Sequence, residues 1–345
     1  MTDRTRSRSD TWSVVMLPNV SAATDIKSRQ HNRQQNKVIG MQLRIGRRQM
    51  LALAAAGALG AALPACGTDD EEPYELTSYG YDSDVSEPGA PETPKPLGRL
   101  PAAASVKTEW LPPVGRQTMP NCFVWATVYG LATFHAARKS ATAPSTPARR
   151  AGPDYAYIRY QLANKLTENT CKGGQMVKCL NWLQDNGGTP SLAAAPNIGR
   201  RKSTTSCEAN WADYGSRTID PDPMFAIPGH KLIRITGPDG LNNLRTVIAK
   251  GLPVAFGVNL YSDFPRYRGT PSPYVGNGQW MINASGKKAG HVMVITGYDD
   301  NKSAGAVRIQ NSFGKRWGEQ GFMWMAYETL AKMAQGTGVF IPDPA

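Results

Sequence analysis

Histidine and cysteine are scarce in this chain, with four of the first and five of the second among 345 residues. Cys171 and Cys179 stand eight apart with no histidine near them, so zinc-type ligand spacing is missing and no metal is expected. Long apolar runs are also missing. The run Leu51–Leu63 has 13 residues, about 20 Å as a helix at ~1.5 Å per residue. That falls short of the roughly 20 residues a membrane-spanning helix needs. Acidic residues are too few to balance the basic ones, and the net charge is +12. Residues 1–50 hold ten Lys or Arg against three Asp, which is +7 and leaves +5 for the rest. So mild a surplus argues for no nucleic-acid partner. No internal repeat runs through the chain. What remains is ordinary for a globular enzyme, at 41% hydrophobic and 19% charged residues.

The N-terminal third reads mostly as something other than fold. Residues 1–40 are polar and basic and are expected to be an untranslated or disordered extension, with Met41 as the true start. Arg47-Arg48 precedes the run Leu51–Leu63, which leads through Pro64-Ala65 to Cys66. A basic, then apolar, then small-residue order is the layout of an export signal. Residues 41–66 resemble a twin-arginine lipoprotein signal, which implies lipidation at Cys66 and a place in the bacterial cell envelope. An ordinary cleaved signal, giving a secreted protein, is the alternative. Residues 67–107 are rich in Asp, Glu, Pro, Gly and Ser and bury too little apolar surface to offset chain entropy, so they read as a disordered tether.

Residues 108–345 form the expected folded domain. Between Cys122 and Lys139 there is no proline, and Val124, Trp125, Val128, Leu131 and Phe134 recur at helical spacing, predicting a buried helix. Pro120 and Asn121 mark its start, which puts Cys122 in the first turn, where unpaired N–H groups favour a thiolate. Helices are also expected over 155–166, 174–186 and 241–250. Strands are expected over 231–235, 253–260, 291–298, 306–310 and 322–326. Residues 192–228 have weak periodicity and many turn formers. Helices first and strands last give an α+β order.

His291 opens one apolar strand and Asn311 closes the next, ahead of a Gly-rich loop around Trp317. Asn311-Ser312-Phe313-Gly314 and Arg316-Trp317-Gly318-Glu319 resemble the Asn-Ser-Trp-Gly and Trp-Gly-Glu segments of the papain-like cysteine peptidases. Gly290-His291 is similar to that family's histidine segment, Gln117 with Cys122 to its oxyanion glutamine and nucleophile, and Cys171-Lys172-Gly173-Gly174 to the stretch lining its substrate cleft. The resemblance covers about residues 108–342. It implies a helical left half, an antiparallel β-sheet or barrel right half, and an active-site cleft between them. Departures are visible: Gln117 stands five residues before Cys122 rather than six, Phe313 replaces a tryptophan, and no long helical propeptide precedes the domain.

The chemistry implied is acyl transfer. Cys122 would attack a peptide carbonyl, His291 would protonate the leaving amine, and Asn311 would orient the imidazole. Gln117 and the Cys122 N–H would hold the oxyanion. Phe313 and Trp317 would shield Asn311, and Gly173 and Gly174 would line the substrate. A cysteine in a helix is ordinarily a small buried hydrophobe. Its place at a helix start, with Gln117 upstream and the His/Asn block downstream, marks this one out. The expected protein is a monomer that needs no cofactor, acts on a peptide or protein substrate, and meets the membrane through Cys66. A catalytically silent peptide-binding lipoprotein and a related thiol hydrolase or acyltransferase acting on cell-wall peptides are the rivals. With Cys66 and Cys122 assigned, Cys171, Cys179 and Cys207 remain. One bridge is expected, Cys171–Cys207 or Cys179–Cys207, leaving one free thiol.

Overall fold

Freedom from proline lets one unbroken helical run form after Pro120. It begins as α1 (Cys122–Val124), widens into a π-helical segment over Trp125–Ala132, and closes as α2 (Thr133–Ser140). Every residue from Cys122 to Ala137 is buried, as expected of a helix that is apolar all round. The computed structural model describes residues 79–167, 170–199 and 204–343. Against the central helix pack α3 (Pro153–Ala163) and α4 (Met176–Asp185), and α5 (Ser206–Tyr214) packs on α3. The helix α5 lies in the stretch of weak periodicity. It is started by a capping box, in which the Thr205 hydroxyl accepts from the Glu208 N–H and the Glu208 carboxylate accepts from the Thr205 N–H. A disulfide joins Cys171 to Cys207, tying α5 to the loop before α4, and Cys179 stays a buried free thiol.

The second half is a seven-stranded sheet made of β1 (Ala103–Ser105), β2 (Lys231–Arg234), β3 (Val254–Asn259), β4 (Gly290–Asp299), β5 (Ala306–Gln310), β6 (Phe322–Ala326) and β7 (Ala334–Phe340). Its order is β2-β7-β3-β4-β5-β6, with every pairing antiparallel. The path is open at β2 and β6, so the half expected as a sheet or barrel is an open sheet. Two helices, α6 (Gly240–Ala249) and α7 (Tyr327–Met333), complete the domain. The strand β3 covers β4 from Gly290 to Ile295, and β1 takes over that edge from Gly297 to Asp299. The architecture is α+β, as expected.

One expectation requires correction. Residues 79–107, assigned to the disordered tether, are laid against the domain. Tyr79, Tyr81 and Glu87 are buried, and β1 is part of the sheet. An acidic, proline-rich composition describes the stretch as a whole, but two aromatic side chains and one well-placed carboxylate hold it down. Residues 1–66, including the export signal and Cys66, lie outside the described residues.

Candidate active site

His291 and Asn311 meet because β4 and β5 are antiparallel neighbours. The pair Val294–Gln310 puts the end of β5 beside the start of β4, and Asn311 Oδ1 lies 2.8 Å from His291 Nε2. The Asn311 N–H donates to Gly321 at 3.0 Å, which fixes the turn that presents the side chain. Phe313 stacks on the imidazole with ring centroids 4.5 Å apart, and the Trp317 ring stands edge-on to Phe313 at 5.8 Å. The Trp317 indole N–H donates to the Phe264 carbonyl at 2.9 Å. Phe313 therefore covers the histidine directly, and Trp317 braces Phe313. The other imidazole nitrogen, Nδ1, has no hydrogen-bond partner among the described residues.

Cys122 arrives from the helical half. Its sulfur faces the backbone N–H of Val292, the residue after His291, so the helix start and the strand start converge. Gln117 is fully buried. Its Nε2 donates to the carbonyls of Tyr79 and Met119, each at 3.1 Å, and its Oε1 accepts from the Ser312 hydroxyl at 2.6 Å. Despite the shortened spacing, Gln117 and the Cys122 N–H converge on one oxygen, because Cys122 also donates to the Tyr79 carbonyl at 3.1 Å. Two donors aimed at a single carbonyl oxygen are the arrangement an oxyanion hole needs. Ser312, whose hydroxyl sets the Gln117 amide, is a residue of the site that the sequence did not single out, although it lies within the Asn-Ser-Phe-Gly segment.

The oxygen in that hole belongs to the chain's own strap, residues 79–94. Tyr81 bridges the two halves, pairing with Gly174 in the parallel sense and with Gly290 in the antiparallel sense. The Gly174 N–H donates to Gly80 at 2.9 Å. A Cβ on Gly173 would lie 2.7 Å from the Gly80 carbonyl oxygen, so only glycine lets the strap come this close, and one on Gly174 would lie 2.7 Å from the Phe123 ring of the central helix. Gly80 has φ +100°, and a Cβ there would sit 1.9 Å from the Pro120 carbonyl oxygen. Further along, Gln175 Nε2 donates to Ser86 at 2.7 Å, and the Glu87 carboxylate accepts the N–H groups of Met176 and Val177 at 2.9 Å each. Those are orphan donors of the first turn of α4, a favoured place for a carboxylate. The Tyr81 hydroxyl donates to the same carboxylate. Nothing in the acid-rich sequence around Tyr79-Gly80-Tyr81 marks it as a strap except the two aromatics flanking a glycine.

Under the strap Cys122 and His291 are both fully buried. Burial pushes the thiol well up. It pushes the imidazole down to about 4, against the opposing pull of the Asn311 hydrogen bond. Both groups are thus neutral at physiological pH. Among the described residues no group of three His, Cys, Asp or Glu side chains is placed to hold a metal.

A buried thiol set against the residue after a buried histidine, where a helical half meets an antiparallel sheet beside a two-donor oxygen site, points to the thiol-hydrolase class of α+β proteins. The chain belongs to the papain family: the family model described as papain family cysteine protease matches residues 162–339, more than half of it. That match contains His291 and Asn311 and begins beyond Gln117 and Cys122, which the fold brings to them. A cysteine proteinase of Trypanosoma brucei brucei is 25% identical over 158 residues, 45% of this chain and 30% of that protein. A gut-specific cysteine proteinase of Caenorhabditis elegans is 24% identical over 168 residues, 45% of this chain and 47% of its own length. The chain thus spans less than half the length of these relatives. Among solved structures, xylellain, a cysteine protease from Xylella fastidiosa, has TM-score 0.53 at 16% identity, covering 77% of this chain and 97% of that one. Digestive procathepsin L2 from Tenebrio molitor larval midgut has TM-score 0.50 at 20% identity, covering 72% and 70%. These two likenesses are of fold.

Proposed function

We propose that the chain is a thiol-dependent peptidase held latent by its own strap. The observation that carries this reading is the convergence of Gln117 Nε2 and the Cys122 N–H on one carbonyl oxygen, with the Cys122 sulfur at the residue after His291. In the reaction, His291 Nδ1, the nitrogen without a partner, takes the thiol proton. The sulfur adds to the carbonyl carbon of the substrate, whose oxygen becomes the oxyanion held by the two donors. Collapse breaks the C–N bond, and the imidazolium returns its proton to the leaving amine. Water, activated by the neutral imidazole, then hydrolyses the thioester. Asn311 holds the ring through Nε2 at each step. Because the Tyr79 carbonyl fills the oxyanion site, a substrate has to displace the strap first.

The test is hydrolysis of a fluorogenic peptide library by the full chain carrying Gly80→Ala, whose Cβ drives the strap from Pro120. Turnover that disappears in a further Cys122→Ala variant is the expected result. Binding without turnover would favour the silent peptide binder. Transfer to an added amine in preference to water would favour the acyltransferase. Residues 41–66 complete the reading as an export signal with Cys66 lipidated, placing the peptidase in the cell envelope.

A further inference from the structure

Behind Cys122 lies a carboxylic acid that the reaction above leaves unused. Asp154, in the first turn of α3, is 1% exposed. Among the described residues it has no cation partner. A buried carboxyl is costly to keep ionised without one, and burial pushes this one up to about 7. It accepts from the Asn121 Nδ2 amide at 3.1 Å and from the backbone N–H of Ile198. Asn121 is itself fully buried, and among the described residues its Oδ1 has no partner and Asp154 takes the one hydrogen bond its side chain makes.

The importance of Asn121 is its place in the chain. It has φ −127° and ψ 26°, outside the helix it precedes. The dihedral ψ of residue 121 sets the plane of the peptide joining it to Cys122, and that plane carries the N–H aimed at the oxygen site. The Asn121 carbonyl, on the opposite side of the same plane, accepts from Val124 at 2.9 Å and Trp125 at 3.0 Å. One face of the peptide is thus fixed by the helix. The residue that turns into it is fixed by Asp154.

We propose that Asp154 is a positioning residue for the oxyanion hole: through Asn121 it holds the peptide plane whose N–H, on Cys122, receives the reacting oxygen. The proposal rests on the peptidase reading. Loss of an oxyanion donor costs about 10²–10³ in turnover, so a donor turned away but not lost should cost about tenfold or more.

The experiment uses the full chain with Gly80→Ala as parent and compares two reactions of Cys122. Hydrolysis of a peptidyl-coumarin needs the oxyanion hole, and alkylation by iodoacetamide, a displacement at saturated carbon, does not. In Asp154→Ala the turnover number should fall at least tenfold, with KM and the alkylation rate each within about twofold of the parent. Asp154→Asn, which retains an acceptor for Asn121, should recover most of the loss. Asn121→Ala cuts the link from the other side and should show the same split even if Asp154→Ala does not fold. Unchanged turnover in both alanine variants overturns the proposal. So does a proportional loss of turnover and alkylation, which is what general damage to the helix start would cause. A parent that alkylates at Cys122 but hydrolyses no peptide sinks the peptidase reading and this inference with it. Hydrolysis by the parent without the split sinks this inference alone.

Discussion

The imidazole of His291 and the thiol of Cys122 sit beneath the strap as a neutral pair, and the cause is burial in both cases. In the proposed mechanism an ion pair would form there only when water returns, so reactivity would be governed by cover as much as by the residues themselves. At the same scale, Ser312 holds the Gln117 amide by a 2.6 Å hydrogen bond, and among the described residues Gln117 has no other anchor at Oε1. Ser312→Ala in the Gly80→Ala chain should lower the turnover number about tenfold with KM little changed, and Gln117→Ala should lower it by about 10²–10³. Steady-state kinetics on one fluorogenic peptide checks both. Equal effects of the two variants would mean that Ser312 does more than orient the amide. Most of these residues were legible in the sequence, because Cys122, His291, Asn311 and Gln117 lie within recognisable local patterns. Asn121 and Asp154 were not, since an Asn at a helix start reads as a cap and an Asp in a first turn as a dipole partner. Here the Asn side chain makes no cap bond.

Among the elements, the strap is where sequence and structure part. Helix α4 and strands β4 to β6 follow their hydrophobic periodicity closely. The helices α5 and α7 and the strands β1 and β7 do not: β1 and α7 are short, and α5 and β7 are held by tertiary contact more than by pattern. The strap is invisible to composition because its hold is made of backbone bonds, a carboxylate on α4 and two aromatics. Its pH response follows from the groups it covers. His291 is held at about 4 when closed and returns toward ~6.5 when water reaches it. The open state therefore binds the proton more readily, and the closed state is fully favoured above about pH 6.5 and loses ground as pH falls toward 4. Burial raises the Glu87 carboxyl when the strap is closed, so that group acts in the opposite sense and acid tightens its end of the strap. Hydrogen exchange over residues 79–94, corrected for intrinsic rates, should show strap opening rising by one to two orders of magnitude between pH ~7 and ~4. The rise should be steeper in Glu87→Gln. Opening that does not change with pH would mean His291 is not what acid acts on.

For the whole molecule, the bridge Cys171–Cys207 closes a loop of sequence separation 36 across the helical half. Loop-closure entropy for that length is ~3–4 kcal/mol, so the double Cys→Ser variant should melt several degrees lower by calorimetry and should do so with the strap in place. Export through residues 41–66 would set the domain where such a bridge persists. Metabolic labelling with a fatty acid should mark the native protein and be lost in Cys66→Ala. Central to the proposed function is Cys122 as a nucleophile kept silent by the chain's own strap. Its most direct measurement is covalent labelling by an epoxide inhibitor, located by mass spectrometry, in the full chain with and without Gly80→Ala. The account predicts an adduct on Cys122 that forms at least tenfold faster in Gly80→Ala. No adduct in Gly80→Ala at any pH between ~5 and ~8, or the same rate in both chains, would contradict it.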